Sequence, residues 1–336
     1  MSVRDLIIVG AGPAGLAVAI AASEASLDYQ VLEKGLLANS IFHFPPQMTF
    51  FTTPDLLEIG GLPFVTPYEK PTRHEALKYY RRVVDRYALR VALGEEVLSI
   101  ERETSGDASS EADAVFAVTA RSATGVRRVR HARHVALAIG YYDQPNRLGV
   151  PGEDLPHVSH YYGEPHAYFQ QRVVIVGGKN SAAIAALELY RAGAMVTLVH
   201  RKGALSDRIK YWIRPDIDNR IKEGSIAARF EACVREVLPT SVIVGPIGDP
   251  SAREEIPAEA VLLLTGYHPD FELLRGAGVE IDNRGTPVFD RDTLETNVPG
   301  LFLAGGMVGG LDTSAIFIEN GRFHGEQIMK AIAKRI

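Results

Sequence analysis

Two periodicities of apolar and polar positions run through this chain, and one short pattern of them occurs twice. Asp5 to Val9 is a β-branched apolar run that ends in the turn GAGPAG; a helical stretch follows from Ala14 to about Ala25, and Tyr29 to Leu32 is a second apolar run. Later, Arg172 to Val176 is apolar, GGKNSA (Gly177 to Ala182) is a small-residue turn, and Ala183 to Arg191 is helix-forming. Gly193 ends that helix and Met195 to Val199 is the next strand. Each stretch reads as a β-turn-α-β unit, so the chain carries an internal repeat. Between the copies, Thr66 to Arg90 reads as mostly helical, Val91 to Leu137 as strands and hairpins, and Ser105 to Asp113 as a polar loop. Pro145, Pro151, Gly152 and Pro156 mark Tyr142 to Pro156 as a crossing into a second domain, and TGYHPD (Thr265 to Asp270) marks the return. The expected fold is α/β with two Rossmann-like dinucleotide-binding domains. Residues 1–150 and 270–336 would form the first, and 151–269 the second, inserted within it.

Composition narrows the picture only a little. The chain has 336 residues, enough for about two domains at ~150 residues each. With 46% hydrophobic and 23% charged residues it is neither disordered nor fibrous in character. A net charge of -5 gives no reason to expect a nucleic-acid partner. No run approaches about 18 uninterrupted apolar residues, so no membrane span is expected. Asp5 and the glycines of the first turn also argue against a signal peptide. Cys233 is the sole cysteine, which excludes an intrachain disulfide and a Cys-x-x-Cys pair and makes a reducing cytoplasm the expected setting. No metal site is expected. The basic stretch VRRVRHARH (Val126 to His134) could be a phosphate-binding strand, but reads better as a solvated hairpin strand.

In the first turn, Gly10 permits a tight strand-to-helix turn, Gly12 lets backbone approach a pyrophosphate, and Gly15 allows close helix–strand packing. The anion would lie on the helix N-terminus, and Glu33 at the end of the second strand would accept from ribose hydroxyls. The second turn keeps small residues at Gly177, Gly178 and Ala182. Lys179 replaces what is often a third glycine, so either its φ is unusual or its side chain faces phosphates. The strand after this turn ends in His200, Arg201 and Lys202 with no acid, a pattern that suits the 2′-phosphate of NADPH; a solvated basic loop is the plainer reading.

Further strings carry a resemblance. ALAIG (Ala136 to Gly140) resembles the strand-end element of two-dinucleotide flavoproteins, LLLTG (Leu262 to Gly266) its second copy, and TNVPGLFLAGG (Thr296 to Gly306) their late flavin-binding segment. SIFHFPPQMTFFTTPDLLEIG, GGKNSAAIAALEL, IKYWIRP, GYHPDFELL and AIFIENGRFHG are more specific, and with them the chain resembles, end to end, the YpdA-type bacillithiol disulfide reductases. The resemblance implies an NADPH-dependent FAD enzyme that reduces a low-molecular-weight disulfide, acting as a homo-oligomer (a homodimer). It implies that Gly10, Gly12, Pro13, Ala14, Gly15, Glu33, Lys34, Ser40, Ile41, Gln47, Thr49, Val97, Ala138, Gly140, Gly266, Gly305, Ala315 and Ile316 bind cofactor. In the second copy it implies the same of Gly178, Lys179, Asn180, Ser181, Ala182, His200, Arg201 and Lys202.

The chain departs from that pattern in three places. The late segment usually ends in Gly-Asp; here it is Gly305-Gly306, so contacts would come from Asp312, from backbone near Ser314 to Ile316, or from a helix N-terminus beginning at Thr313. The family string has a cysteine in the first turn where this chain has Ala14, and the Cys-x-x-Cys of thioredoxin reductases is absent from Ser159 to Phe169. Cys233 is expected to be a buried strand residue. A reduced flavin would then pass electrons on without a protein thiol relay. Lys210, Tyr211, Trp212 and Arg214 are candidates for gripping an anionic substrate or for plain surface packing, and His324 and His160 for proton donation or structure; no catalytic residue is assigned. Three alternatives stay open: a flavin monooxygenase, suggested by LGVPGEDLPHVSHYY; a reductase of a small redox protein; and a redox-sensing flavoprotein acting through a partner.

Overall fold

The computed structural model describes residues 3–103 and 114–334, so the polar loop read at Ser105 to Asp113 lies outside the described residues. The chain divides into two compact units, Met1–Gln144 with Tyr267–Ile336, and Pro145–Gly266. The second unit therefore starts within the expected crossing, six residues before the expected boundary at 151, and ends three residues before the expected 269. The Thr265 hydroxyl donates to the Asn146 carbonyl at 2.6 Å and the Asn146 N–H to the Gly266 carbonyl at 2.9 Å, tying the two ends of that unit together.

The first unit opens with β1 (Val3–Val9), α1 (Pro13–Glu24) and β2 (Tyr29–Glu33). Short helices α2 (Asn39–Phe42) and α3 (Pro54–Leu57) precede α4 (Arg73–Tyr87). That helix begins at Arg73 and not at Thr66 because Thr72 and Glu75 form a capping box: the Thr72 hydroxyl accepts from the Glu75 N–H, and the Glu75 carboxylate accepts from the Thr72 N–H at 2.8 Å. Next come β3 (Val91–Leu93), β4 (Glu95–Glu103), β5 (Val115–Ser122) and β6 (Arg127–Leu137).

The second unit holds β7 (Val158–Ser159), β8 (Arg172–Val176), α5 (Asn180–Arg191), β9 (Met195–Val199), α6 (Arg214–Lys222), β10 (Ala227–Arg229), β11 (Ala232–Leu238), β12 (Ser241–Pro246), β13 (Glu254–Pro257) and β14 (Ala260–Leu263). Its parallel sheet runs β10-β9-β8-β14-β7, and β11-β12-β13 form an antiparallel meander. The chain returns to the first unit through α7 (Phe271–Gly276), β15 (Leu301–Leu303), α8 (Ile318–Gly321) and α9 (His324–Ala333).

In the first unit β3-β2-β1-β6 are parallel, and β6 is long enough to take two partners on one side. Its first half pairs antiparallel with β5 (Phe116↔Ala132) and its last residues pair parallel with β15 (Leu303↔Leu137). Val9 also lies opposite Leu137, so β1, β6 and β15 end at one level. In the second unit Val176 lies opposite both Val199 and Leu263, aligning the ends of β8, β9 and β14. Ligands of open α/β sheets bind beyond such carboxyl ends. The strand interiors Leu6, Ile7, Ile8, Val135, Ala136 and Leu137 are fully buried, as a sheet covered on both faces requires.

The basic strand β6 is accounted for by ion pairs: Arg128 and Arg130 each reach the buried Glu95 at 3.0 Å. Among the described residues no helix is long and apolar enough to cross a membrane, and no group of three or more His, Cys, Asp or Glu side chains is placed to hold a metal ion.

Candidate functional site

The first glycine turn is shaped by backbone contact. Gly10 has φ +105°, and a Cβ on it would lie 2.5 Å from the Ala138 carbonyl oxygen at the end of β6; a Cβ on Gly15 would lie 2.0 Å from the Gly10 carbonyl oxygen. Only glycine fits either place. Gly12 is different, since nothing lies within 4 Å of where its Cβ would be. It is the N-cap of α1, Pro13 begins the helix, and no side chain caps the first turn or places a carboxylate there. Free N–H groups thus face open space, the arrangement an anion such as a pyrophosphate fits. Gly140, also with a positive φ, is equally open.

Glu33 is buried at the end of β2, and both of its oxygens are engaged. Oε2 accepts from the Ala11 N–H and Oε1 from the Gly35 N–H, each at 2.8 Å. Burial pushes its carboxyl above the usual carboxylate range, against the pull of those two N–H groups. The carboxylate therefore ties the glycine turn to the end of β2, with lone pairs left for other donors. Lys34 is paired with Asp143 at 2.9 Å. Ile41 is buried and its carbonyl accepts from Arg73 Nε at 3.1 Å, whereas Gln47 and Thr49 are exposed and Ser40 is half-buried. Val97 lies at a bulge in β4 and packs on the buried face of the sheet.

At the end of β15, Gly305 has φ +75° and donates its N–H to Nδ1 of the buried His324 at 3.0 Å. His324 is held below the ordinary imidazole range by burial. A neutral ring accepting at Nδ1 keeps its proton on Nε2, and through Nδ1 the side chain fixes the turn. A Cβ on Gly305 would come within 2.7 Å of the Ala14 methyl, so position 14 faces this turn directly. The missing Asp at position 306 has a steric reason: a Cβ there would lie 2.6 Å from the Tyr141 ring.

The expected helix from Thr313 does not form. Asp312 accepts from the Ser314 N–H and hydroxyl, Phe317 donates its N–H to Asn320 Oδ1 at 2.8 Å, and helix begins only at Ile318 and lasts four residues. Ala315 and Ile316 sit in that turn, Ala315 exposed, so no helix dipole begins at Thr313.

The second turn follows the same plan with different chemistry. A Cβ on Gly177 would lie 2.6 Å from the Leu264 carbonyl oxygen and 2.9 Å from the Ala182 Cβ; Ala182 is fully buried. Lys179 has an ordinary extended backbone (φ −114°, ψ −166°) and caps no N–H, which leaves the first turn of α5 uncapped with Ser181 exposed. His200 lies flat on Gly178, whose Cβ would be 2.2 Å from the ring, and its Nε2 is buried without a partner. Burial and the neighbouring Arg201 and Lys202 hold His200 below the ordinary imidazole range. Arg201, Lys202 and Lys179 are exposed, and no side-chain partner of theirs exists among the described residues.

Asn180 faces the loop after β9, taking the Lys210 N–H on Oδ1 at 2.9 Å and donating from Nδ2 to the Arg208 carbonyl at 3.2 Å. Gly266, with φ +93°, adjoins the Asn146 amide. Arg214 pairs with Asp218 at 2.6 Å and reaches the Ser206 carbonyl at 3.1 Å, a structural role, while Tyr211 and Trp212 are exposed. His160 lies 3.3 Å from the buried Glu153. Cys233 is half-buried on β11 with Sγ 3.9 Å from the Gly245 carbonyl oxygen, less covered than its strand position suggested.

Two glycine turns at aligned strand ends, one followed by a buried carboxylate and the other by free cations, are the architecture of a dinucleotide-dependent oxidoreductase. The chain belongs to the pyridine nucleotide-disulphide oxidoreductase family, whose pattern matches residues 7–305, and within it to the family of the Bdr (YpdA) reductases. It is 42% identical over 333 residues to the bacilliredoxin reductase Bdr of Bacillus subtilis (strain 168), covering 98% of this chain and 97% of that one. The bacillithiol disulfide reductase Bdr (YpdA) of Bacillus cereus superimposes with a TM-score of 0.93 at 39% identity. That of Staphylococcus aureus superimposes with 0.90 at 38%, and both matches cover 100% of either chain. These are reductases; the monooxygenase alternative is not favoured.

Proposed function

We propose that this chain is an NADPH-dependent FAD oxidoreductase that reduces the disulfide of a low-molecular-weight thiol of the bacillithiol type. The observation that carries the reading is full-length similarity to the Bdr reductases in a chain that has both glycine turns. The unit of residues 1–144 and 267–336 would hold FAD, and the unit of residues 145–266 NADPH. The residues fit both groups. Gly12 and Gly140 leave open space where any other residue would project a Cβ, α1 and α5 begin uncapped, and Arg201, Lys202 and Lys179 are exposed cations.

When bound, the two cofactors supply hydride transfer, and in the net reaction NADPH, a proton and RSSR give NADP⁺ and two RSH. The protein's share is placement. Glu33 and His324 hold the two turns of the first site through backbone N–H groups, and the cations after β9 select the 2′-phosphate. No cysteine lies in either turn, so the disulfide meets no protein thiol there. Cytoplasmic location and a homo-oligomeric state belong to the same reading, supported by the single cysteine and by exposed apolar side chains such as Val65, Tyr68, Phe169 and Met195.

A small redox protein as acceptor is the second reading. The B. subtilis relative is named a bacilliredoxin reductase, and Tyr211 and Trp212 stand exposed beside Lys210, the kind of aromatic and cationic group that anchors protein interfaces. One experiment separates the readings. The purified yellow protein is assayed for NADPH oxidation with bacillithiol disulfide alone, with a bacilliredoxin in its mixed disulfide with bacillithiol, with other low-molecular-weight disulfides, and with oxygen. Turnover with the small disulfide alone supports the first reading, and turnover only with the protein supports the second. Turnover with oxygen alone sinks both.

A further inference from the structure

The loop that follows β9 is stitched across the start of α5. The Ser206 N–H donates to the Gly178 carbonyl at 2.9 Å, at the glycine turn itself. Two residues later the Arg208 carbonyl accepts from Asn180 Nδ2 at 3.2 Å, and the Lys210 N–H donates to Asn180 Oδ1 at 2.9 Å. Leu205 and Ile209 are buried beneath the loop, and Arg214 reaches back to the Leu205 and Ser206 carbonyls at 3.4 and 3.1 Å. An asparagine amide that donates and accepts across one short loop fixes its register, since either bond fails if the loop slides by a residue.

This arrangement sets the backbones of two more cationic residues, Arg208 and Lys210, at the same helix start as Lys179, Arg201 and Lys202. The loop takes one N–H of the Asn180 amide and one lone pair of its oxygen. We infer that Asn180 is a positioning residue that acts through the 205–210 loop: it holds Arg208 and Lys210 where they add to 2′-phosphate recognition. The inference rests on the NADPH reading of the second unit.

The test uses the FAD-loaded, oxidised, full-length protein and calorimetric titration with adenosine 2′,5′-bisphosphate and with AMP, so that no turnover is needed. Asn180→Ala should weaken the bisphosphate about fivefold or more while changing AMP by less than about twofold, and in an Arg208→Ala/Lys210→Ala background it should add almost nothing. The melting temperature and flavin content identify any variant that has merely lost its fold, and Asn180→Ser, a smaller change, then replaces Asn180→Ala. Equal weakening of both ligands, or losses that add fully in the triple variant, would overturn the inference. The Arg201→Ala/Lys202→Ala protein is the control for the reading beneath it. If that protein keeps its preference for the bisphosphate, the NADPH reading of this site has failed; if it loses the preference and Asn180→Ala does not, only the inference about Asn180 has failed.

Discussion

The two glycine turns share a backbone plan and differ in what stands at the end of the following strand. After β2 it is Glu33, buried and bonded to two backbone N–H groups; after β9 it is His200 packed on glycine, then two exposed cations with no side-chain partner among the described residues. The first turn is thus held together from inside, by a charge that the fold itself uses. The second is built from neutral packing and leaves its charges outside. A side chain that shapes a site and one that selects a ligand face different constraints. The shaping group must be buried and satisfied, and the selecting group must be exposed and unsatisfied until the ligand arrives.

The hardest test of that comparison is steric. Gly15→Ala sets a methyl against the Gly10 carbonyl and the short Ala138 side chain, with nothing to swing away. Overpacking of this kind costs about 1–3 kcal/mol or more, so the variant should lose bound flavin and melt well below wild type. Gly12→Ala meets nothing within 4 Å, so its melting curve without added flavin should stay near wild type while its FAD affinity falls, because the methyl projects into the space before the α1 N-terminus. Gly178→Ala meets first the His200 ring, a side chain that can rotate, and should fall between the two. Equal loss of melting temperature in Gly12→Ala and Gly15→Ala would mean that the first turn is not held as described.

Next in size is the selecting group. Removing both Arg201 and Lys202 should raise the KM for NADPH and leave that for NADH nearly unchanged, each lost charge-assisted contact costing on the order of 1.5–3 kcal/mol. Raising the salt concentration should weaken wild-type NADPH binding and barely affect the double variant. A double variant with an unchanged ratio of the two KM values would show that the 2′-phosphate is held elsewhere.

The shared plan was legible from sequence because it is local. Glycines where backbone approaches backbone, apolar runs of strand length and one helix period each leave a mark within about thirty residues. What was not legible depends on partners far along the chain. Nothing around Asn180 reveals that its amide is taken by a loop thirty residues on, and nothing around Gly306 reveals that the Tyr141 ring fills the space of an aspartate. The missing helix at Thr313 is a local misreading of another kind. Asp312, Ser314 and Asn320 bind backbone and each other in turns, and such side chains compete with helix formation.

A smaller effect separates the two imidazoles that line these turns. Both His324 and His200 are held below the ordinary value of 6.5, chiefly by burial. A group whose folded value is depressed binds fewer protons in the folded state. Its contribution to stability is therefore complete above pH 6.5 and lost as the pH falls through the folded value. Protonation at Nδ1 also removes the acceptor for the Gly305 N–H, so the loss should be the larger at His324. Denaturant midpoints followed downward from pH 7 should fall less steeply in His324→Asn, which keeps an acceptor but cannot titrate. His200→Asn should change the slope less, because that ring is the more exposed of the two. Wild-type slope in His324→Asn would remove His324 from the account of the first turn.

The smallest expected effect concerns sulfur, and it divides the two units most simply. In the first, position 14 carries only the methyl group that faces Gly305, and a methyl cannot become a thiolate. In the second, the one cysteine sits half-buried on β11 opposite Gly245, in the antiparallel meander and not at the strand ends where the second turn lies. A relay would need a thiolate at one of those turns, and neither turn has one. Cys233→Ser should therefore keep turnover within about twofold of wild type, since a half-buried serine in this strand costs little. Alkylation of the protein should inhibit to the same small extent, and reduction by NADPH should develop no thiolate-to-flavin charge-transfer absorbance. The decisive contrary result is a Cys233→Ser protein whose flavin is still reduced quickly by NADPH but which no longer reduces its disulfide. That outcome would place the sole thiol in the electron path and require β11 to reach a reacting position the present geometry does not give it.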